Sequence, residues 1–226
     1  MTICIIPARS GSKRIKNKNI KKINNKPIIS YVINTAIKSN LFSRVIVTTD
    51  SKKISNIAIK YGAEVPFLRN KKLSDDHTTT KDVILDCIKH VSSEKEPYHF
   101  CIYPTASLLN VSDLKKAFKK IKKKKFDFLV ATSEFSSSPL RAFKIYKNER
   151  IKFDSKKYVK SRSQDLPRLI HDSGTFYIYK TKSLLSRKKI SFKTTFYMLE
   201  RLRSLDINYP EDFKFAKYLQ KYFRHN

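Results

Sequence analysis

Residues 3–19 read ICIIPARSGSKRIKNKN: the apolar run Ile3-Cys4-Ile5-Ile6 breaks at Pro7 into a small-residue turn, which leads into Arg9, Lys13, Arg14, Lys16 and Lys18. A short continuous apolar run bounded by a turn suits a strand buried on both faces, as in the middle of a parallel sheet. A second such run, Arg44-Val45-Ile46-Val47-Thr48-Thr49, ends at Asp50. Between the two, Ile28, Ile29, Val32, Ile33, Ala36 and Ile37 recur at helical spacing, so residues 3–50 read as a βαβ unit.

The alternation continues. Ile54, Ile57, Ala58 and Tyr61 mark a helix that stops at Gly62, and Val83, Ile84, Cys87, Ile88 and Val91 mark another. Phe100 to Tyr103 reads as a strand, Leu114 to Ile121 as a helix and Phe126 to Thr132 as a strand. This order predicts an α/β fold, a mostly parallel sheet with helices on both faces. From Ser136 the pattern breaks into short mixed runs around Phe143-Lys144-Ile145-Tyr146 and a charged turn, Lys147 to Arg150, which reads as a β-hairpin insertion. Strands are expected again at Gly174–Tyr179 and near Leu202–Ile207. A last helix, from about Pro210, should bury Phe213, Ala216, Leu219 and Phe223.

The chain has 226 residues, enough for one domain with a projecting insertion at about 136–172 and too few for two full-sized domains. Hydrophobic residues at 40% and aromatics at 12% make it a folding composition despite 30% charge. The 49 basic and 19 acidic residues give +30, which fits an anionic partner or a codon bias that raises Lys, Asn, Ile and Ser throughout. The charge is spread rather than striped, so a nucleic-acid-binding protein remains only an alternative. The lysine run 122–125 falls where a helix ends and cations complement its dipole. Cys4, Cys87 and Cys101 lack metal-binding spacing and read as buried thiols of a cytoplasmic protein. No run approaches the ~18 apolar residues of a membrane span.

In an open α/β sheet the loop after the first strand is the usual phosphate site. Here it is neither of the common phosphate fingerprints, since Gly11, Gly62 and Gly174 are the only glycines. What it offers is a hydroxyl at Ser12, backbone donors, and Arg9, Lys13 and Lys18, able to converge on a triphosphate. On that chemistry alone, a nucleotide-phosphate loop and a basic surface loop both remain open.

Pro7-Ala8-Arg9-Ser10-Gly11-Ser12-Lys13 with Lys18-Asn19 resembles the signature of the acylneuraminate cytidylyltransferases. The resemblance continues at Arg69, Leu73 to Thr80, Tyr103-Pro104-Thr105-Ala106, Pro139-Leu140-Arg141, Arg162 to Pro167, His171 to Tyr177, and Asp206 to Phe213, so it spans nearly the whole chain. Within that family it leans toward the enzymes that act on pseudaminic acid, chiefly through Tyr103, where sialic acid enzymes carry glutamine.

The resemblance implies a single Rossmann-like nucleotidyltransferase domain. It also implies a reaction in which the anomeric hydroxyl of a nine-carbon 2-keto sugar acid attacks the α-phosphorus of CTP and pyrophosphate leaves. Such a transfer needs positioning and charge neutralisation. By the same resemblance Arg9, Ser12 and Lys13 hold the triphosphate, with Lys13 stabilising charge in the transition state. Lys18 and Asn19 lie beside the nucleotide, and Arg69, Thr78 and Thr80 meet cytosine and ribose. Tyr103, Arg141, Arg162 and Gln164 face the sugar acid. Without the resemblance, Arg69 and Arg141 would read as surface arginines; Tyr103, an aromatic at a strand end, reads equally as core, while His171 reads as a local hydrogen-bond partner. The insertion matches the region through which the family forms homodimers.

One motif departs from the family. Where Asp-x-Asp holds Mg²⁺, this sequence has Asp206-Ile207-Asn208, which should weaken the metal site and leave most of it to Asp206. Asn208 could instead cap the last helix, with Glu211 three residues on. That departure motivates one more alternative, a CTP-binding homologue with poor turnover.

Overall fold

The computed structural model describes residues 2–123, 125–186 and 192–225. The opening run forms β1 (Thr2–Pro7), whose side chains alternate between two cores: Cys4 and Ile6 face one, Ile3 and Ile5 the other. That two-sided burial is why the run is apolar without a break. A tight hairpin, β2 (Lys22–Ile23) and β3 (Lys26–Pro27), turns through Asn24 and Asn25 at φ 46° and 66°. Asparagine tolerates this left-handed region, and here it does work that glycine does in most hairpins.

The βαβ unit follows as α1 (Ile28–Lys38) and β4 (Arg44–Thr48). Next come α2 (Lys52–Lys60), with Ser51 Oγ accepting the Ile54 N–H at its start, and α3 (Thr80–His90), capped in the same way by Thr79. β5 (Tyr98–Ile102), α4 (Val111–Lys123) and β6 (Phe128–Glu134) complete the regular alternation. The expected hairpin insertion is present as β7 (Phe143–Ile145) and β8 (Ile151–Phe153), antiparallel and separate from the main sheet. β9 (Ile170–Lys180), α5 (Thr181–Leu184), β10 (Thr194–Met198) and α6 (Pro210–His225) finish the chain. Lys122 and Lys123 end α4 as expected, and Lys124 of that run lies outside the described residues.

The main sheet has the order β10-β6-β9-β5-β1-β4, parallel except for β9, which is antiparallel to both neighbours. The reason is connectivity: β6 ends at the edge where the insertion projects, no helix carries the chain back, and β9 therefore enters from that edge. α1, α2 and α4 cover one face through Ile29, Val32, Ile54, Ala58, Leu114 and Ala117, while α3 covers the other through Ile84, Cys87 and Ile88.

The strand expected near Leu202–Ile207 is absent. The pairing strand is β10, whose Thr194-Thr195-Phe196-Tyr197-Met198 runs parallel to β6. Residues 201–203 form one turn of 3₁₀ helix instead, and Ile207 is apolar because it packs with Phe213 and Ala216 of α6. Of the residues expected to bury that last helix, Phe213, Ala216 and Leu219 are in the core and Phe223 is half-buried. β1 lies between β4 and β5, so successive connections leave it in opposite directions, and the crevice at its carboxyl end is where such sheets bind ligands.

Candidate functional site

The loop after β1 is braced from several sides. Ser10 donates its N–H and its hydroxyl to the two carboxylate oxygens of Asp50, at 2.8 and 2.6 Å. The Asn19 amide donates to the Arg9 carbonyl at 2.9 Å, and the Lys18 ammonium donates to the Ile207 carbonyl at 2.7 Å. Asn17, at φ 55°, supplies the left-handed residue that turns the chain back toward Lys18. At Gly11 a Cβ would meet nothing within 4 Å, so the loop leaves open space beside its backbone.

This loop and the ends of β5 and α3 enclose a cavity of about 240 Å³ lined by Arg9, Ser12, Lys18, Asn19, Arg69, Thr78, Thr80 and Tyr103. A neighbouring cavity of about 260 Å³ adds Lys13 and shares Arg9, Ser12 and Lys18. Burial pulls down the pKa of Lys18 and of Arg69, since each loses water around its charge. Arg69 is only 5% exposed, yet its Nε reaches just Ser74 Oγ, at 3.0 Å; the guanidinium makes no other hydrogen bond among the described residues. A buried, under-partnered guanidinium on a cavity wall can donate hydrogen bonds to a ligand there.

Tyr103 is part of that wall and not simply core. Its hydroxyl meets Thr80 Oγ1 at 2.6 Å and its ring stands edge-on to Tyr177, which donates to the Asp172 carboxylate at 2.5 Å. Burial raises the pKa of both tyrosines, which keeps them as hydroxyl donors and acceptors. Thr78 is fixed by the Asp75 carboxylate, which takes its N–H and its hydroxyl, both at 2.7 Å.

The Asp206 carboxylate lies against Gly174, which sits at φ 60° in the β-bulge of β9; a Cβ there would come within 3.4 Å of Asp206 Cγ. Asn208 does not cap α6 with its side chain. Its amide donates to Asp206 Oδ2 at 2.6 Å, while Asp212 Oδ2 takes the N–H groups of Asn208 and Tyr209 at 2.9 and 2.7 Å. The reaching-back acid is therefore Asp212, not Glu211, because Tyr209 rather than Asn208 precedes the first helical residue. One carboxylate with an amide that can turn its oxygen inward fits Mg²⁺, which takes few protein ligands and completes its shell with phosphates and water. No group of three or more His, Cys, Asp or Glu side chains able to hold a metal occurs among the described residues.

Arg141, Arg162 and Gln164 are not brought to this cavity. Arg141 borders a separate hollow between residues 134–141 and 163–169, where its guanidinium reaches Ser163 Oγ at 3.4 Å. Arg162 is held by Asp165 at 2.7 Å, and Gln164 is exposed. His171 is a local partner, its Nδ1 donating to the Asp172 carbonyl at 2.8 Å. Asp50 and Asp76, which hold Ser10, Arg9 and Lys13, and Asp172, which holds Tyr177, were given no part by the sequence reading. The available signal was position, since Asp50 directly follows a β-branched strand at the sheet edge where ligands bind.

The family model described as Cytidylyltransferase matches residues 3–225. A pseudaminic acid cytidylyltransferase of Campylobacter jejuni is 41% identical over 97% of this chain and 96% of its own. A CMP-N,N'-diacetyllegionaminic acid synthase of the same species is 31% identical over 96% and 94%. Among solved structures, a CMP:2-keto-3-deoxy-manno-octonic acid synthetase complexed with CTP superposes with a TM-score of 0.70 at 15% identity, covering 97% of this chain and 98% of that one, a likeness of fold.

Proposed function

The chain belongs to the cytidylyltransferase family, and from that premise we propose that it transfers CMP from CTP to a nine-carbon 2-keto sugar acid, pseudaminic acid, releasing pyrophosphate. The observation that supports this reading is the braced loop after β1, whose Arg9, Ser12 and Lys18 line one cavity together with Arg69, Thr80 and Tyr103.

In this reading Arg9, Ser12 and Lys13 hold the triphosphate, and Lys13 follows the charge that moves to the pyrophosphate as the phosphorus–oxygen bond breaks. Lys18, fixed on the Ile207 carbonyl, and Asn19, fixed on Arg9, keep the loop in shape beside the nucleotide. Arg69, Thr78 and Thr80 form a short pocket for cytosine and ribose, where fixed donors and acceptors select a pyrimidine. Asp206, with the Asn208 amide oxygen, would hold Mg²⁺, which when bound neutralises phosphate charge. Asp206→Ala should abolish magnesium-dependent turnover while Asn208→Ala only raises the magnesium needed; equal, small effects in a magnesium titration would remove the metal from this pair.

The insertion, about 136–172 of a single 1–226 domain, serves in this reading as the surface for a second copy. Its hairpin leaves Ile145 82% and Ile151 57% exposed as a cross-strand pair beside Phe143, an apolar patch that a homodimer would cover. A partner copy also accounts for Arg141, Arg162 and Gln164 lying apart from the nucleotide cavity, since they would serve the sugar acid at a composite site. No helix among the described residues is long and apolar enough to cross a membrane, and the reading places the enzyme in the cytoplasm with its CTP. The test is pyrophosphate release from CTP and Mg²⁺ with a panel of pseudaminic, legionaminic, neuraminic and eight-carbon 2-keto acids. Release with pseudaminic acid at the highest kcat/KM is expected, and release with none of them would leave a CTP-binding homologue without turnover.

A further inference from the structure

The two cations assigned to the triphosphate already hold an anion. Asp76, on the loop that precedes α3, spans them with one oxygen each: Oδ1 lies 2.6 Å from Arg9 Nη2 and Oδ2 lies 2.5 Å from Lys13 Nζ. Arg9 is drawn further onto the same loop by the Asp75 carbonyl, 2.5 Å from Nη1. The Asp75 side chain points the other way, taking the N–H groups of His77 and Thr78 and so setting the shape of the turn that presents Asp76. Asp76 is thus aimed by its loop, and it borders both cavities. Lys13 and Arg9 hold its pKa down at about 2, so it is an anion at every working pH.

A phosphate ligand cannot take Arg9 and Lys13 at full strength while a carboxylate occupies both. Binding is an exchange of one anion for another, and its cost falls differently on different ligands. CTP brings a base and a ribose that bind elsewhere in the cavity; pyrophosphate brings only charge. We propose that Asp76 is a resident counter-anion that CTP displaces and that reseats on Arg9 and Lys13 as pyrophosphate leaves, setting how weakly this product is held. The proposal rests on the assignment of Arg9 and Lys13 to the triphosphate and makes Asp76 a positioning residue that acts through them.

The experiment is titration calorimetry with pyrophosphate alone, cytidine alone and CTP, on the wild-type chain, Asp76→Asn and Asp76→Glu. Asp76→Asn should bind pyrophosphate about tenfold more tightly, the change expected from removing a close like charge. CTP should tighten less, and cytidine should not change. Asp76→Glu, which keeps the anion, should return pyrophosphate affinity toward the wild-type value. In turnover, the inhibition constant for pyrophosphate should fall with the same ratio. Unchanged or weaker pyrophosphate binding by Asp76→Asn overturns the proposal, and so does failure of both chains to bind pyrophosphate, since removing a competitor must uncover binding. Because calorimetry needs no sugar acid, this outcome is separate from failure of the acid panel, which would remove the activity and leave the counter-anion standing.

Discussion

Two regions at the same edge of the sheet are built in opposite ways. The loop after β1 is tied to the rest of the chain by Asp50, Lys18 and Asp76, through contacts distant in sequence. The insertion between β6 and β9 closes mostly on itself: Tyr146 on Arg150, Arg162 on Asp165, Lys144 on Asp154. Its β7–β8 hairpin turns apolar side chains outward, where the nucleotide loop turns cations inward. Contacts that cross the fold fix a geometry to within the tolerance that phosphoryl transfer demands, whereas contacts within a segment leave its placement to whatever covers it. In the proposed reading the nucleotide half of the site is therefore complete in one chain, and a second copy would complete the sugar-acid half.

The most direct way to break this comparison is to remove Lys13, the cation that the proposed reading assigns to the transition state. Lys13→Ala should lower kcat by about 10²–10³-fold with the fold intact, as loss of a preorganised charge at a transition state does. Steady-state kinetics with circular dichroism checks it; a loss under tenfold would mean that the charge is supplied from elsewhere. Next comes the brace rather than the cation. Asp50 touches Ser10 and no cation of the loop by hydrogen bond, so Asp50→Ala should cost about 10- to 100-fold in kcat/KM for CTP through misplacement alone. The KM of the sugar acid should hardly move, and if both substrates suffered equally the two halves would not be separable.

The insertion is tested from its surface. Ile145→Asp with Ile151→Asp should halve the mass measured by light scattering and raise the KM of the sugar acid about tenfold, the equivalent of about 1.4 kcal/mol of lost binding. Affinity for CTP should stay as it is. A wild-type chain that is monomeric and fully active at low concentration would instead make the insertion a sugar-binding arm in its own right.

The same contrast explains what could be read in advance. The alternation of apolar runs and helical faces gave the order of elements because each run is explained by its own burial, as with Ile3 to Ile6 split between two cores. The direction of β9 was not legible, since Gly174 to Tyr179 looks alike in either sense and only the missing crossover helix decides. Leu202–Ile207 misled because Ile207 is buried by α6 from outside the sheet, a tertiary cause that leaves the same apolar mark as pairing. At the site, the cations carried a sequence signature, but Asp50 and Asp172 act by touching residues 40 positions and 5 positions away. Partners of that kind become visible only when the chain is folded. Asp76 stood inside a motif and still had no assigned task, because its partners Arg9 and Lys13 come from the loop after β1, far back in the chain.

The smallest effect on catalysis should come from a fully buried titratable group, and it sharpens the comparison by showing that both halves ride on a sheet whose stability is set elsewhere. His99 on β5 is 0% exposed, with Ser93 Oγ 3.0 Å from Nε2 and Thr181 Oγ1 2.8 Å from Nδ1. Burial lowers its pKa from 6.5 to about 4. Between those values the unfolded chain takes up a proton that the folded chain refuses, so this group's contribution to stability is complete above pH 6.5 and declines as the pH falls toward 4. Over two pH units the decline is roughly 2–3 kcal/mol. His99→Asn removes the titration. It should lower stability at neutral pH, because one hydroxyl loses its partner, yet flatten the fall of the urea midpoint between pH 7 and pH 4.5 relative to wild type. Pyrophosphate release at pH 7.5 should be unchanged wherever the variant is folded, since His99 touches neither the nucleotide loop nor the insertion. A parallel loss of turnover and stability would tie the site to the floor of the sheet.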